Sequence, residues 1–235
     1  MNRDCIVGLA GQEVSRADSG EGLGYVLDYV FRFVQGIGVT LELSFCSIIL
    51  AFVIGVLLAI TRICPSPPLR FFAWCYVEAM RATPILALLV MIVWGLPKLG
   101  FMYSEFSSSV LALGLYTAAW ISEAIRSGVG SIATGQVEAA RSLGMSFGQI
   151  LHSIVIPQAV RSVIPSLSGI IIVHIKTTSI AAVAGVLEIT ATSQIINVET
   201  AQWLWFLGAA ASYLVLTVPT GWIFKAIEQR AVFVR

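Results

Sequence analysis

The chain has 235 residues, 57% of them hydrophobic and only 11% charged, with a mean hydropathy of +0.89 and a formal net charge of +1. Soluble domains carry about a quarter charged residues, so this composition excludes an ordinary soluble fold. The near-neutral balance gives no support to a nucleic-acid partner.

The apolar runs are long and continuous rather than alternating, which selects membrane-spanning helices over a β-barrel. Residues 1–24 are mixed polar, and the apolar run at 6–10 is too short for a signal-peptide core, so no cleaved leader is expected. Residues 23–35 set Asp28 and Arg32 among apolar positions at helical offsets, the pattern of an amphipathic lead-in lying in the membrane interface. A first span is expected at residues 36–60, with Glu42 near its start. Arg62, Pro65, Pro67, Pro68 and Arg70 follow as a short rigid loop. The second span is expected at 74–96, kinked where Pro84 deprives it of one hydrogen bond. Further spans are expected at 107–125, 165–187 and 203–227, with a long loop at 126–164 and a polar stretch at 188–202.

The expected fold class is therefore all-α: a polytopic membrane protein of five helices. It divides into an extracytoplasmic segment (1–35), a transmembrane domain (36–227) and a tail (228–235). Orientation follows from basic residues near span ends. Arg62, Arg70, Arg126, Arg141, Arg161, Lys225 and Arg230 fall on one side, which predicts an N-out, C-in chain. Cys5, Cys46, Cys64 and Cys75 lack metal-ligand spacing, and with two histidines no metal site is expected. No GxxxxGK[S/T] phosphate loop is present, so no ATP binding and no enzymatic activity are expected of this chain.

The stretch 136–157 organises the sequence. Val137, Ala140 and Leu143 fall at helical spacing, as do Ile150, Leu151, Ile154 and Val155. Thr134 is the expected N-cap, Glu138 and Arg141 can pair on one face, and Gly144 can end the first helix in a left-handed conformation. A short exposed helix of this kind suits docking into a groove of another protein. Elsewhere, Tyr76-Val77-Glu78 with Arg81, Thr83 and Pro84 opens the second span, and Trp120, Glu123 and Arg126 share a helical face. Gly36 and Gly38 permit close helix contact. Lys176 sits near the middle of the expected fourth span, where an unpaired ammonium is costly. It must face protein, water or an anion, and the two readings are a carboxylate at a subunit interface and a passing substrate. His174 is expected to be a hydrogen-bonded packing residue.

Glu138-Ala139-Ala140 with Gly144, Ile154 and Pro157 resembles the EAA loop of ABC-importer permease subunits. Gly135-Gln136 and Gln158-Ala159 narrow the resemblance to the polar amino-acid branch, although Ile156 replaces the usual Leu. The segment from Tyr76 to Pro84, the run 36–41 and the Trp120-Glu123-Arg126 face resemble the same family. So does Lys176 with Thr178 and Ser179, although Thr177 stands where Asp is usual and Gly169 where Asn is usual. The resemblance implies the type I importer permease fold in a prokaryotic plasma (inner) membrane. It implies a second permease subunit, identical or homologous, a separate ATPase subunit holding ATP and Mg, and an extracytoplasmic binding protein delivering glutamate or glutamine. Coupling contacts are then expected at Gln136, Glu138, Ala139, Ala140, Gly144, Ile154 and Pro157. The substrate path is expected at Trp120, His174, Lys176, Thr177, Thr178 and Ser179. A structural helix-entry clamp is expected at Glu78, Arg81, Thr83, Pro84 and Glu123. The alternative is a secondary transporter or channel using Lys176 and Glu42, against which stands the lack of internal repeats.

Overall fold

Lipid offers the backbone no hydrogen-bond partners, so long apolar runs must satisfy themselves as helix. In the computed structural model, which describes residues 21–102 and 104–232, every regular element is helical. Most of the polar segment at 1–24 lies outside the described residues.

Helix α1 spans Glu21–Ile63 without a break. The expected interfacial lead-in is thus continuous with the first span. No proline interrupts it, and its N-terminal half is held by side chains. Tyr29 and Phe33 pack on Trp205, and Arg32 pairs with Asp28 at 2.8 Å and with Glu199 at 3.3 Å. At about 1.5 Å per residue the helix is roughly 65 Å long, about twice the hydrocarbon thickness.

Helix α2 (Pro67–Ala82) and α3 (Ile85–Val90) occupy the expected second span, which is broken rather than kinked. A wide turn at Met91–Gly95 and a 3-10 turn at Leu96–Leu99 extend α3, and the two halves meet at 106°. The cause is local. A residue before proline is pushed out of the helical region, and Thr83 is extended at φ −89°, ψ 131°. Helix α4 (Glu105–Gly130) starts at Ser104, whose hydroxyl accepts from the Ser107 N–H.

The long loop holds α5 (Thr134–Ser142) and then α6 (Phe147–Ile150), which opens with a capping box between Ser146 and Gln149. A wide turn at Leu151–Val155 leads into α7 (Ile156–Thr177) and a 3-10 segment at Thr178–Ala184. The fourth span therefore begins well before its expected start at 165. Pro157 lies in the first turn of α7, where its missing N–H is tolerated. Residues 188–202, expected as a polar connection, form α8 (Ile189–Thr200), and α9 (Leu204–Val232) closes the chain. Among the described residues, four stretches are long and apolar enough to cross a membrane, or five if α2 and α3 form one broken span.

Helices α1 and α4 form the centre. Small residues let them approach: a Cβ on Gly55 would sit 2.8 Å from Ile121, and one on Gly114 2.7 Å from Leu50. Leu43, Ala51, Leu113, Ala118 and Ile121 are buried between these helices and their neighbours. Helix α7 packs on the end of α4 through Gly128, where a Cβ would meet Val163.

Candidate translocation and coupling sites

The exposed loop element is built from three local devices. Ala133, extended at ψ 124°, precedes α5, so Thr134 is the first helical residue and not the cap. At the other end Gly144 takes φ +76°. Its N–H donates to the Arg141 carbonyl at 2.9 Å, and the Met145 N–H donates to the Ala140 carbonyl at 3.2 Å. Gln158 Nε2 donates to Gln136 Oε1 at 2.7 Å and ties α5 to α7.

Ala140 is the residue of α5 that is buried, while Gln136, Glu138 and Ala139 are exposed. The expected Glu138–Arg141 ion pair is not formed among the described residues, since both side chains point into water. Instead they border a groove of about 320 Å³ with Ile132, Val137 and Val155. Ile154 and Pro157 are half-buried beneath the loop. Leu143 and Phe147 stand out on either side of Gly144, 82% and 76% exposed. Two large apolar side chains held in water by a rigid turn form a surface shaped for a partner.

About two turns before the C-terminal end of α4, Glu123 collects cations from three helices. Arg62 Nη1 lies 2.7 Å away, Arg126 Nη2 2.6 Å and Arg81 Nη1 3.9 Å. Arg81 also reaches Glu78 at 3.5 Å and lies 4.9 Å over the Trp120 ring. The Thr83 hydroxyl donates to the Ala79 carbonyl at 2.7 Å, just before Pro84. Sequence reading missed Arg62: its position at a span end was visible, but its partner lies 61 residues away.

Between α3, α4 and α7 lies a cleft of about 480 Å³ walled by Tyr116, Thr117, Trp120, Gly169, His174 and Thr177, among others, with no charged side chain in its lining. His174 is 2% exposed. Its Nε2 lies 2.7 Å from the Ser47 hydroxyl and its Nδ1 2.8 Å from the Thr117 hydroxyl, so it ties α1, α4 and α7 together. The cleft unites Trp120, His174 and Thr177 but not Lys176, Thr178 or Ser179. Those last two hydroxyls donate to the carbonyls of Ile175 and Lys176. Lys176 sits in the last turn of α7, ahead of the 3-10 segment that carries the span to Ala184, and is exposed with no ion pair among the described residues.

Glu188 was also missed. It is fully buried and caps α8, accepting from the Thr190 N–H at 2.9 Å, the Ala191 N–H at 2.8 Å and the Tyr213 hydroxyl at 2.6 Å. Burial raises its pKa, and these hydrogen bonds oppose the shift. The usual cap residues are Ser, Thr, Asp and Asn, so a Glu ahead of a polar stretch gave no cap signal in the sequence. The same corner explains Gly36, where a Cβ would stand 2.9 Å from the Thr192 hydroxyl, whereas Gly38 faces open space.

The pattern of binding-protein-dependent transport system inner membrane components matches residues 51–232. The chain belongs to this family of ABC-importer permeases. The permease is 34% identical to a putative glutamine transport system permease protein of Rickettsia conorii, over 86% of its own length and 94% of the relative's. It is also 34% identical to a probable glutamine ABC transporter permease protein of Bacillus subtilis, over 87% and 95%. A solved amino acid ABC transporter, crystallised with histidines, superposes with a TM-score of 0.82 at 31% identity, over 88% of the permease and 97% of that chain. An inward-facing methionine ABC transporter shares the fold at 20% identity and a TM-score of 0.69. The all-α importer fold expected from sequence is thus the fold of the permease, and its family is one of the inner membrane.

Proposed function

We propose that the permease forms half of the path of an amino-acid importer and is driven by a separate ATPase that docks on α5 and α6. The observation that carries this reading is the exposed turn of Leu143, Gly144 and Phe147, rigid on its own side and unfilled on the other. ATP and Mg belong to that ATPase, and a second permease, identical or homologous, completes the path. An extracytoplasmic binding protein delivers the substrate. Closure of the ATPase pair would draw two such loops together and shift the population of path conformations towards the outward-open form.

Glutamine is the favoured substrate and glutamate the alternative. The relatives in Rickettsia conorii and Bacillus subtilis are named for glutamine, and the uncharged cleft beside Trp120 and Thr177 suits a neutral polar side chain. In vesicles holding the full complex and its binding protein, glutamine uptake should require ATP. Uptake driven by an ion gradient without ATP would instead support a secondary transporter.

The orientation is N-out and C-in. A cysteine placed at Glu199 should react with an impermeant maleimide added from outside, and one placed at Ser142 should not. The reverse pattern would remove the loop from the ATPase side.

Lys176 is assigned to a carboxylate of the second permease. It is exposed on the isolated subunit and ends a helix whose neighbouring hydroxyls bond to backbone. The Lys176→Met complex should separate into single permeases on size exclusion. Normal assembly with reduced uptake would assign Lys176 to the substrate.

A further inference from the structure

A second cleft, of about 800 Å³, opens where α1 ends, α2 begins and α4 approaches its last turns. Its walls carry Arg62, Arg70 and Arg126 together with Glu78 and Glu123. The two carboxylates are not equivalent to free acids. Glu123 is held by Arg62 and Arg126 within 2.7 Å, and Glu78 by Arg81 at 3.5 Å. Arg81 thus offsets Glu78, and the cluster as a whole retains a surplus of positive charge. The Arg70 side chain is exposed and makes no hydrogen bond or ion pair among the described residues. Helix α2 also starts at this cleft with Pro67, which adds the positive end of a helix dipole.

The rim has the opposite character. Phe71 and Trp74 line the opening, 58% and 50% exposed, and Phe72 beside them is 71% exposed. Phe71 lies 6.0 Å from Phe72 and 6.3 Å from Trp74, ring centre to ring centre. Aromatic rings at the end of a span settle at the lipid–water boundary. A small soluble anion would use the arginines and leave these rings in water. A phospholipid would use both, with its phosphate on the guanidinium groups and its glycerol and acyl carbons on the rings.

We propose that this cleft binds the headgroup of an anionic phospholipid, with Arg70 as its free cationic contact and Phe71, Phe72 and Trp74 as its apolar rim. The site requires only that the spans lie in a membrane. It does not depend on which amino acid is carried.

The test is native mass spectrometry of the intact importer complex released from nanodiscs of phosphatidylcholine with phosphatidylglycerol. Arg70→Gln should retain one fewer phosphatidylglycerol per permease than the parent, and Trp74→Ser should weaken retention in the same direction. Lys225→Gln, the same charge change on an exposed residue of α9, should retain the parental number. Added phosphatidylglycerol should raise the melting temperature of the parent in phosphatidylcholine bicelles and raise that of Arg70→Gln less. Equal loss from Arg70→Gln and Lys225→Gln would reduce the cleft to diffuse surface charge and overturn the proposal. Inorganic phosphate reproducing the thermal shift at millimolar concentration would assign the cleft to a soluble anion, which also overturns it. Both readouts are independent of uptake, so failure of the lipid site leaves the transport reading untouched, and the converse holds too.

Discussion

Gly144→Pro is expected to stop uptake while leaving the permease inserted and the ATPase able to hydrolyse ATP. Gly144 sits at φ +76°, and a proline ring fixes φ near −65°. The substitution also deletes the 2.9 Å hydrogen bond from the Gly144 N–H to the Arg141 carbonyl. A lost hydrogen bond of about 1 kcal/mol and a displaced backbone of about 1–3 kcal/mol together make about 2–4 kcal/mol. That lowers the population of the native turn by roughly 30-fold or more. The turn sets the angle between Leu143 and Phe147, so the docking surface is lost even though neither side chain has changed. Gly144→Ala keeps the N–H and should fall between the parent and the proline variant. Glu138→Lys should act differently. It alters an exposed charge on the groove without touching the turn, so its effect should weaken as salt is raised. Parental uptake by Gly144→Pro, measured with ATPase activity in the same vesicles, would remove the loop from coupling.

Glu188→Leu is expected to be the most destabilising single substitution in the described part of the chain. Three donors converge on its fully buried carboxylate from α8 and α9, the Ala191 N–H buried and the Thr190 N–H and Tyr213 hydroxyl partly buried. Each buried donor left without a partner costs about 1–3 kcal/mol, so the sum approaches the whole stability of a typical domain. The variant should fail to accumulate in the membrane. Glu188→Gln keeps one acceptor oxygen and should accumulate with a lowered melting temperature. Tyr213→Phe removes one donor together with its need for a partner, and should cost about 1 kcal/mol. A melting temperature for Glu188→Leu equal to that of Tyr213→Phe would show that the corner is hydrated.

Helical periodicity and apolar length placed the third and fifth spans within a few residues but started the first and fourth too late, and the left-handed Gly144 followed from a glycine at the end of a short amphipathic run. The failures share a physical origin. The continuity of α1 through residues 23–63 depends on Trp205 and Glu199, which are distant in sequence, so the amphipathic start was mistaken for a separate element. Residues 188–202 are polar, yet one face is buried at Glu188, Thr192, Ser193 and Ile196, and their hydroxyls turn back to backbone: Ser193 donates to the Ile189 carbonyl and Thr200 to that of Ile196. Polarity alone does not distinguish such a helix from a loop. The change to a tighter spiral at Thr178, just after Lys176, leaves no mark in the apolar pattern of the fourth span. The Arg62–Glu123 contact joins two helices, and nothing in either local sequence specifies it.

The interruption at Thr83–Pro84 has a further consequence for where water goes. Proline has no N–H to return to the Met80 carbonyl, so that oxygen loses its helical partner. Backbone in this condition is tolerated at membrane depth only inside protein or against an aqueous cavity. The break therefore lies either inside the importer's protein or against an aqueous cavity, and not against lipid. Amides flanking it should exchange with deuterium sooner than those of the unbroken α4 beside them. Because α2 and α3 share no continuous ladder across this joint, each can tilt without carrying the other. The segment that bears Glu78 and Arg81 is thereby mechanically separate from the segment that bears Leu88 and Leu89.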